Sequence, residues 1–157
     1  MRFTSPAESL VEKNVFRQRS ATLGTIPRFE DVRPCLPTPV LPEDNEWEEL
    51  YWKAWESYWR SLQLPQSGSS LIAGYHRPKE DNNIEMGQTA LLENLAGYIY
   101  GSYSAAPSLD NFYAAQHDDG FIPRELHPTN GKDIHQPYEP NSTGPNILAW
   151  TEWRNFR

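Results

Sequence analysis

The sequence predicts an all-α chain broken by long loops and preceded by a proline-rich arm. Three observations predict it. Aromatic residues make up 13% of the 157 residues and fall into a few segments. Those between Trp47 and Leu62 recur at helical spacing. Fourteen prolines, nearly twice the average usage, force much of the remainder to be irregular.

The arm comes first. Residues 1–26 are weakly patterned, with a short helix expected over Ala7 to Gln18. Residues 27–42 hold Pro27, Pro34, Pro37, Pro39 and Pro42, which fix φ and remove donors, so neither helix nor central strand is expected there. Ile26, Phe29, Val32, Leu36, Val40 and Leu41 give this stretch apolar teeth, which favours an arm packed over a core rather than a free linker. The division follows: 1–42 as the arm and 43–157 as the helical part.

The first strong helix should open at Asn45, with Glu48 completing a capping box and several acidic residues favouring the positive end of the helix dipole. Trp47, Leu50, Tyr51, Ala54, Trp55, Tyr58 and Leu62 form one broad apolar face, flanked by Trp52 and Trp59. Pro65 should end the helix at Leu64. Residues 65–83 read as loop. A second helix is expected over Glu85 to Tyr100, despite Gly87 and Gly97. A third should start with Ser108 as N-cap and run to Gln116, burying Phe112 and Tyr113. Residues 117–143 form a long loop that keeps Phe121, Ile122, Leu126, Ile134 and Tyr138, too apolar for plain disorder and so an ordered site loop. A fourth helix should open after Thr143, with Pro145 in its first turn.

Composition bounds the function. An apolar fraction of 38% and a charged fraction of 22% suit a soluble folded chain. The net charge of −7, with fourteen scattered basic residues, argues against a phosphate-binding surface and hence against nucleic acid. No run of 18 apolar residues exists, so no membrane span is expected. Met1 to Leu10 shows no signal-peptide core, which leaves a cytoplasmic chain as the default expectation. Cys35 is the single cysteine, so it forms no internal disulfide, and no nearby base activates it.

Two blocks are distinctive: the run from Ser108 to Leu126, containing Asp119-Gly-Phe-Ile-Pro-Arg-Glu125, and the run Asn141-Ser-Thr-Gly-Pro-Asn-Ile-Leu-Ala-Trp-Thr-Glu-Trp153. With Leu50-Tyr-Trp-Lys-Ala-Trp55, they resemble the barrel domain of inverting glycoside hydrolases related to trehalase, mannosylglycerate hydrolase and glucosidase I. The resemblance covers roughly residues 40–157. It implies an (α/α)6 toroid with a sugar held by rim loops, here only partial, because four or five helices fit where about a dozen are needed. The implied function is part of the sugar subsite of such an enzyme, inactive alone, because the family's acid and base carboxylates lie on later segments. Hydrolysis with inversion needs two carboxyls about 6.5–9.5 Å apart. The implied partners are a carbohydrate and a complementary C-terminal chain or domain. No cofactor is implied.

The substrate-binding candidates are Gln88, Asp119, Arg124, Glu125, Asn146 and Trp150. Family members carry a Trp-Asp pair where this chain has Gly87-Gln88; the amide can still bond a hydroxyl, but without charge or a stacking ring. Arg124 offers a rigid fork of donors and Glu125 accepts from adjacent hydroxyls, against the plainer reading of a surface ion pair. Glu125 also enters as the catalytic candidate. Asp119 precedes Gly120 in a turn signal, and Asp110 and Asn111 suit the start of a helix. His117, Asp119 and His127 lack metal-ligand spacing and are not assigned a metal. Two other readings stay open: a helical protein-interaction module using the aromatic helix 47–62, and a non-catalytic carbohydrate-binding module.

Overall fold

The computed structural model describes residues 14–20, 25–40, 45–77, 84–85, 108–142, 144 and 146–156. The expected helix over Glu85 to Tyr100 and the candidate Gln88 lie outside these residues, apart from Glu85, which stands in a strand and not in a helix. The chain is mostly helical with few strands, in keeping with an all-α class at that coarse level.

The longest described helix, α2, spans Asn45–Ser61. It follows α1, a single turn over Phe29–Val32 that runs into a 3-10 turn at Arg33–Cys35. Proline therefore does not exclude helix from this stretch, contrary to expectation. Pro34 sits in the first turn of the 3-10 segment, where a missing N–H costs nothing. The arm is packed: Val32 and Leu36 join Trp55, Tyr58, Trp59 and Leu62 in one buried cluster. Prolyl carbonyls, relieved of any ladder partner, serve as acceptors for ring donors of α2. The Trp59 indole donates to the Pro27 carbonyl at 2.6 Å, and the Tyr51 hydroxyl donates to that of Pro37. Arg33 lies over the Trp52 ring at 4.3 Å, a cation–π contact.

The apolar face of α2 is only half used. Trp55, Tyr58 and Trp59 are buried, whereas Trp47 is 62% and Leu50 55% exposed. The reason lies in reach: the described apolar partners Val32, Leu36 and Leu62 meet the C-terminal half of the helix. The helix also ends at Ser61 rather than Leu64, because the next two residues pair as a strand.

Four two-residue strands form two antiparallel pairs. β1 (Leu62–Gln63) pairs with β2 (Tyr75–His76), setting Leu62 opposite His76. β3 (Ile84–Glu85) pairs with β4 (Glu125–Leu126), setting Ile84 opposite Leu126 and Glu85 opposite Glu125. A second buried cluster collects Leu71, Tyr75, Ile84, Leu109, Phe112 and Leu126 around α3, Ser108–Ala114. Ile147 and Leu148 pack on its edge, the latter opening α4, Leu148–Phe156. That helix begins later than expected, since 146–147 precede it as a bend and an irregular residue. Ser108 opens α3, yet its buried hydroxyl finds no hydrogen-bond partner among the described residues, so packing rather than capping places the helix start. Near the N-terminus, the short 3-10 helix Val15–Gln18 stands where part of a longer helix was expected. Asn14 caps it and donates to the Tyr113 carbonyl at 2.8 Å. Among the described residues no helix is long and apolar enough to cross a membrane.

Candidate functional site

Asn111 explains how the region that carries the site is held. Its amide is buried in α3 and accepts from the backbone N–H groups of Ile72 and Ala73 at 2.8 and 3.0 Å, while donating to the Ala73 carbonyl at 3.1 Å. A side-chain amide has both acceptor and donor, so one residue closes a loop that has no strand partner of its own. The helix-start reading of Asn111 thus gives way to a fastening role. Asp110 beside it forms an ion pair with Arg19 at 2.6 Å. Burial raises its carboxyl above the usual range, with the Arg19 charge pulling the other way.

Residues 117–142 form a long loop of turns and bends, as expected, in which the two residues of β4 and one isolated bridge are the regular pairing. β4 continues through an isolated bridge between Leu126 and Asp133. His127 N–H donates to the Lys132 carbonyl at 2.8 Å and Gly131 N–H to that of His127 at 2.7 Å. Gly131 has φ +66°, a left-handed conformation in which a Cβ would run into the Ser70 hydroxyl.

On this frame Arg124 Nε stands 3.5 Å and His135 Nε2 3.4 Å from the same Glu125 carboxylate oxygen. The Glu125 side chain is 16% exposed, so it is mostly buried. Arg124 Nη1 also points to the Asn141 carbonyl at 3.4 Å. A guanidinium, a carboxylate and an imidazole at one place offer donors and an acceptor to adjacent hydroxyls, or to any ligand with alternating polarity.

Asp119 belongs to a neighbouring group. Its carboxylate accepts from Phe121 N–H at 3.0 Å and from the Tyr138 hydroxyl. Tyr138 adopts φ 65°, uncommon for a residue with a Cβ, and its ring lies 5.3 Å from Phe121. His117 faces Phe121 edge-on at 5.3 Å and its Nε2 lies 2.6 Å from the Asp133 carboxylate. Beside that pair an open depression of about 590 Å³ is lined by Arg17, His117, Asp118, Lys132 and Asp133, among others. Arg124 and Glu125 do not line it.

The structure therefore brings Arg124 and Glu125 together, sets Asp119 in an adjoining turn, and leaves Asn146 and Trp150 exposed at the start of α4. Trp150 is 49% and its neighbour one turn on, Trp153, 50% exposed. His117, Asp119 and His127 bond separately, His127 through its Nδ1 to Thr129 N–H, and do not gather as ligands. His135, Asp133 and Tyr138 were not among the candidates. Their sequence signal is membership of an apolar-studded loop and, for His135, being one of four histidines; the partners they meet are set by the fold-back at Gly131. The chain matches no family model, no curated protein and no solved structure.

Proposed function

We propose that the chain is a saccharide-binding portion of a helical glycoside hydrolase of the trehalase, mannosylglycerate hydrolase and glucosidase I type, arranged as a partial (α/α)6 toroid and inactive alone. The observation that supports it is the Arg124–Glu125–His135 cluster, whose Arg124 and Glu125 belong to the block that carries the family resemblance and whose Glu125 stands in β4. Arg124 donates to ring or hydroxyl oxygens and Glu125 accepts from the next hydroxyl; Asp119, Asn146 and Gln88 add polar contacts, and Trp150 a stacking face. Glu125 binds in this scheme, and catalysis requires carboxylates supplied by a complementary C-terminal chain or domain.

Titration of the amide resonances with glucose, mannose and trehalose tests this. Millimolar binding that shifts residues in the 117–142 segment, and that weakens about tenfold in Arg124→Ala and Glu125→Gln, is the expected result. Unmoved spectra at saturating sugar would end the reading, and so would turnover of an aryl glycoside by the purified chain. A non-catalytic carbohydrate-binding module shares this site, and is the better description if the isolated chain binds sugar as a cooperatively folded monomer. One observation favours a helical interaction module instead: the N-terminal half of α2 presents Trp47 and Leu50 to solvent. Self-association or capture that depends on those two residues, with no sugar response, would select it.

A further inference from the structure

The two buried clusters meet at β2. Successive strand side chains point to opposite faces. Tyr75 enters the cluster around α3, while His76, 3% exposed, meets Tyr58 of the α2 cluster ring to ring, centroids 4.5 Å apart and planes tilted at 46°. His76 Nδ1 lies 2.8 Å from the Ser61 hydroxyl, and that hydroxyl donates its one hydrogen to the Tyr58 carbonyl at 2.7 Å. Ser61 can then only accept from the ring, so Nδ1 carries the proton and the lone pair sits on Nε2. Nε2 is buried, and no described residue offers it a hydrogen-bond partner. Backbone pairing completes the junction: Arg77 N–H donates to the Ser61 carbonyl at 2.8 Å.

We propose that His76 is an acid-sensitive pin: protonation at Nε2 uncouples the α1–α2 cluster from the cluster around α3, which itself stays folded. A charged ring would place an N–H in a buried spot where no described group accepts it. Among the described residues no compensating charge acts on it. From α2 the titratable group facing the ring is the Tyr58 phenol; from β1 come Leu62 and Gln63, which do not ionise; along its own chain lie Tyr75 and Arg77. No salt bridge to His76 forms among the described residues. Burial pushes the imidazole down to about 4, from an ordinary value of 6.5. The joined state therefore favours the neutral ring. Coupling is fully present above about pH 6.5 and is lost as the pH falls toward 4. In the cluster around α3 the Ile72 and Ala73 amides are held by Asn111, which does not titrate, while the titratable Asp110 carboxylate is paired with Arg19.

Amide hydrogen exchange on the full chain, corrected for the intrinsic pH dependence of exchange, tests the idea. Between pH 7 and pH 5 the protection of the Arg77 amide should fall on the order of twentyfold relative to the Ile72 and Ala73 amides. His76→Phe keeps the ring contact and should abolish that differential fall. Should that variant not fold, Ser61→Ala serves in its place: it should lower Arg77 protection already at pH 7 while keeping the acid response. The His76 ring resonance should titrate near pH 4 in the wild type. A ring midpoint near 6.5, parallel loss at Ile72 and Ala73, or an acid response that persists in His76→Phe would each overturn the proposal.

Discussion

The two buried clusters are built by different physics. The α2 cluster draws on residues 32–62 and is made of rings and aliphatic side chains from a periodic helix and the arm beside it. The cluster around α3 gathers Leu71, Tyr75, Ile84, Leu109, Phe112 and Leu126 from distant parts of the chain, and polar groups fasten it. Asn111 ties down 72–74, Asp110 holds Arg19, and Asn14 reaches the end of α3. Apolar packing tolerates shape-conserving change, whereas a hydrogen-bonded hub fails when one partner goes, because the others stay buried and unpaired. The difference teaches where each region is vulnerable: the first to lost volume and to charge, the second to the loss of one amide.

That contrast is open to direct attack. Asn111→Leu leaves the Ile72 and Ala73 amides and the Ala73 carbonyl unpaired, at about 1–3 kcal/mol each, so urea unfolding should register a loss of about 4 kcal/mol. A loss below about 1 kcal/mol would mean that apolar packing alone holds the second region.

Acid should strike the first region next. The folded state depresses His76 to about 4, so its contribution is present above pH 6.5 and disappears as the pH falls to 4, about 3 kcal/mol in full. A stability–pH curve for wild type and His76→Phe, in chemical denaturant, reads this as a difference in slope across that interval.

Trp59→Phe removes ring volume and the indole bond to Pro27, and should cost about 2 kcal/mol by thermal melting. A neutral result would separate the arm from α2 energetically. Gly131→Ala forces a Cβ against the Ser70 hydroxyl and Leu71 at a positive φ; about 1–2 kcal/mol is expected, with loss of the Arg124–Glu125–His135 geometry visible in the His135 resonance. The smallest effect belongs to Trp47→Ala, within about 0.5 kcal/mol of wild type, because Trp47 is 62% exposed. A larger loss would place Trp47 in the first cluster after all.

Legibility follows the same divide. The helical period over Trp47 to Leu62 identifies α2 because every ring involved is close in sequence; Asn45, expected as its cap, is instead its first helical residue. The period could not say that Trp47 and Leu50 stay exposed, since burial depends on where Val32 and Leu36 land. Proline content marked the arm as irregular but did not reveal the turn at Phe29–Val32, where no proline interrupts the four residues. At the site, adjacency made Arg124 and Glu125 readable as a pair. His135 joins them only because the segment folds back at Gly131, and Asn111 meets Ile72–Gly74 across about forty residues, a distance over which sequence carries no local signal.

By itself the sequence determined the helical character of α2, the loop character of 117–142 and a net charge of −7. These rest on side-chain periodicity and charge, which are summed along the chain. Tertiary structure alone decided which half of the aromatic helix is covered, which amide closes the second cluster, and which imidazole joins the two, because each depends on burial and on hydrogen bonds between residues that only folding brings together.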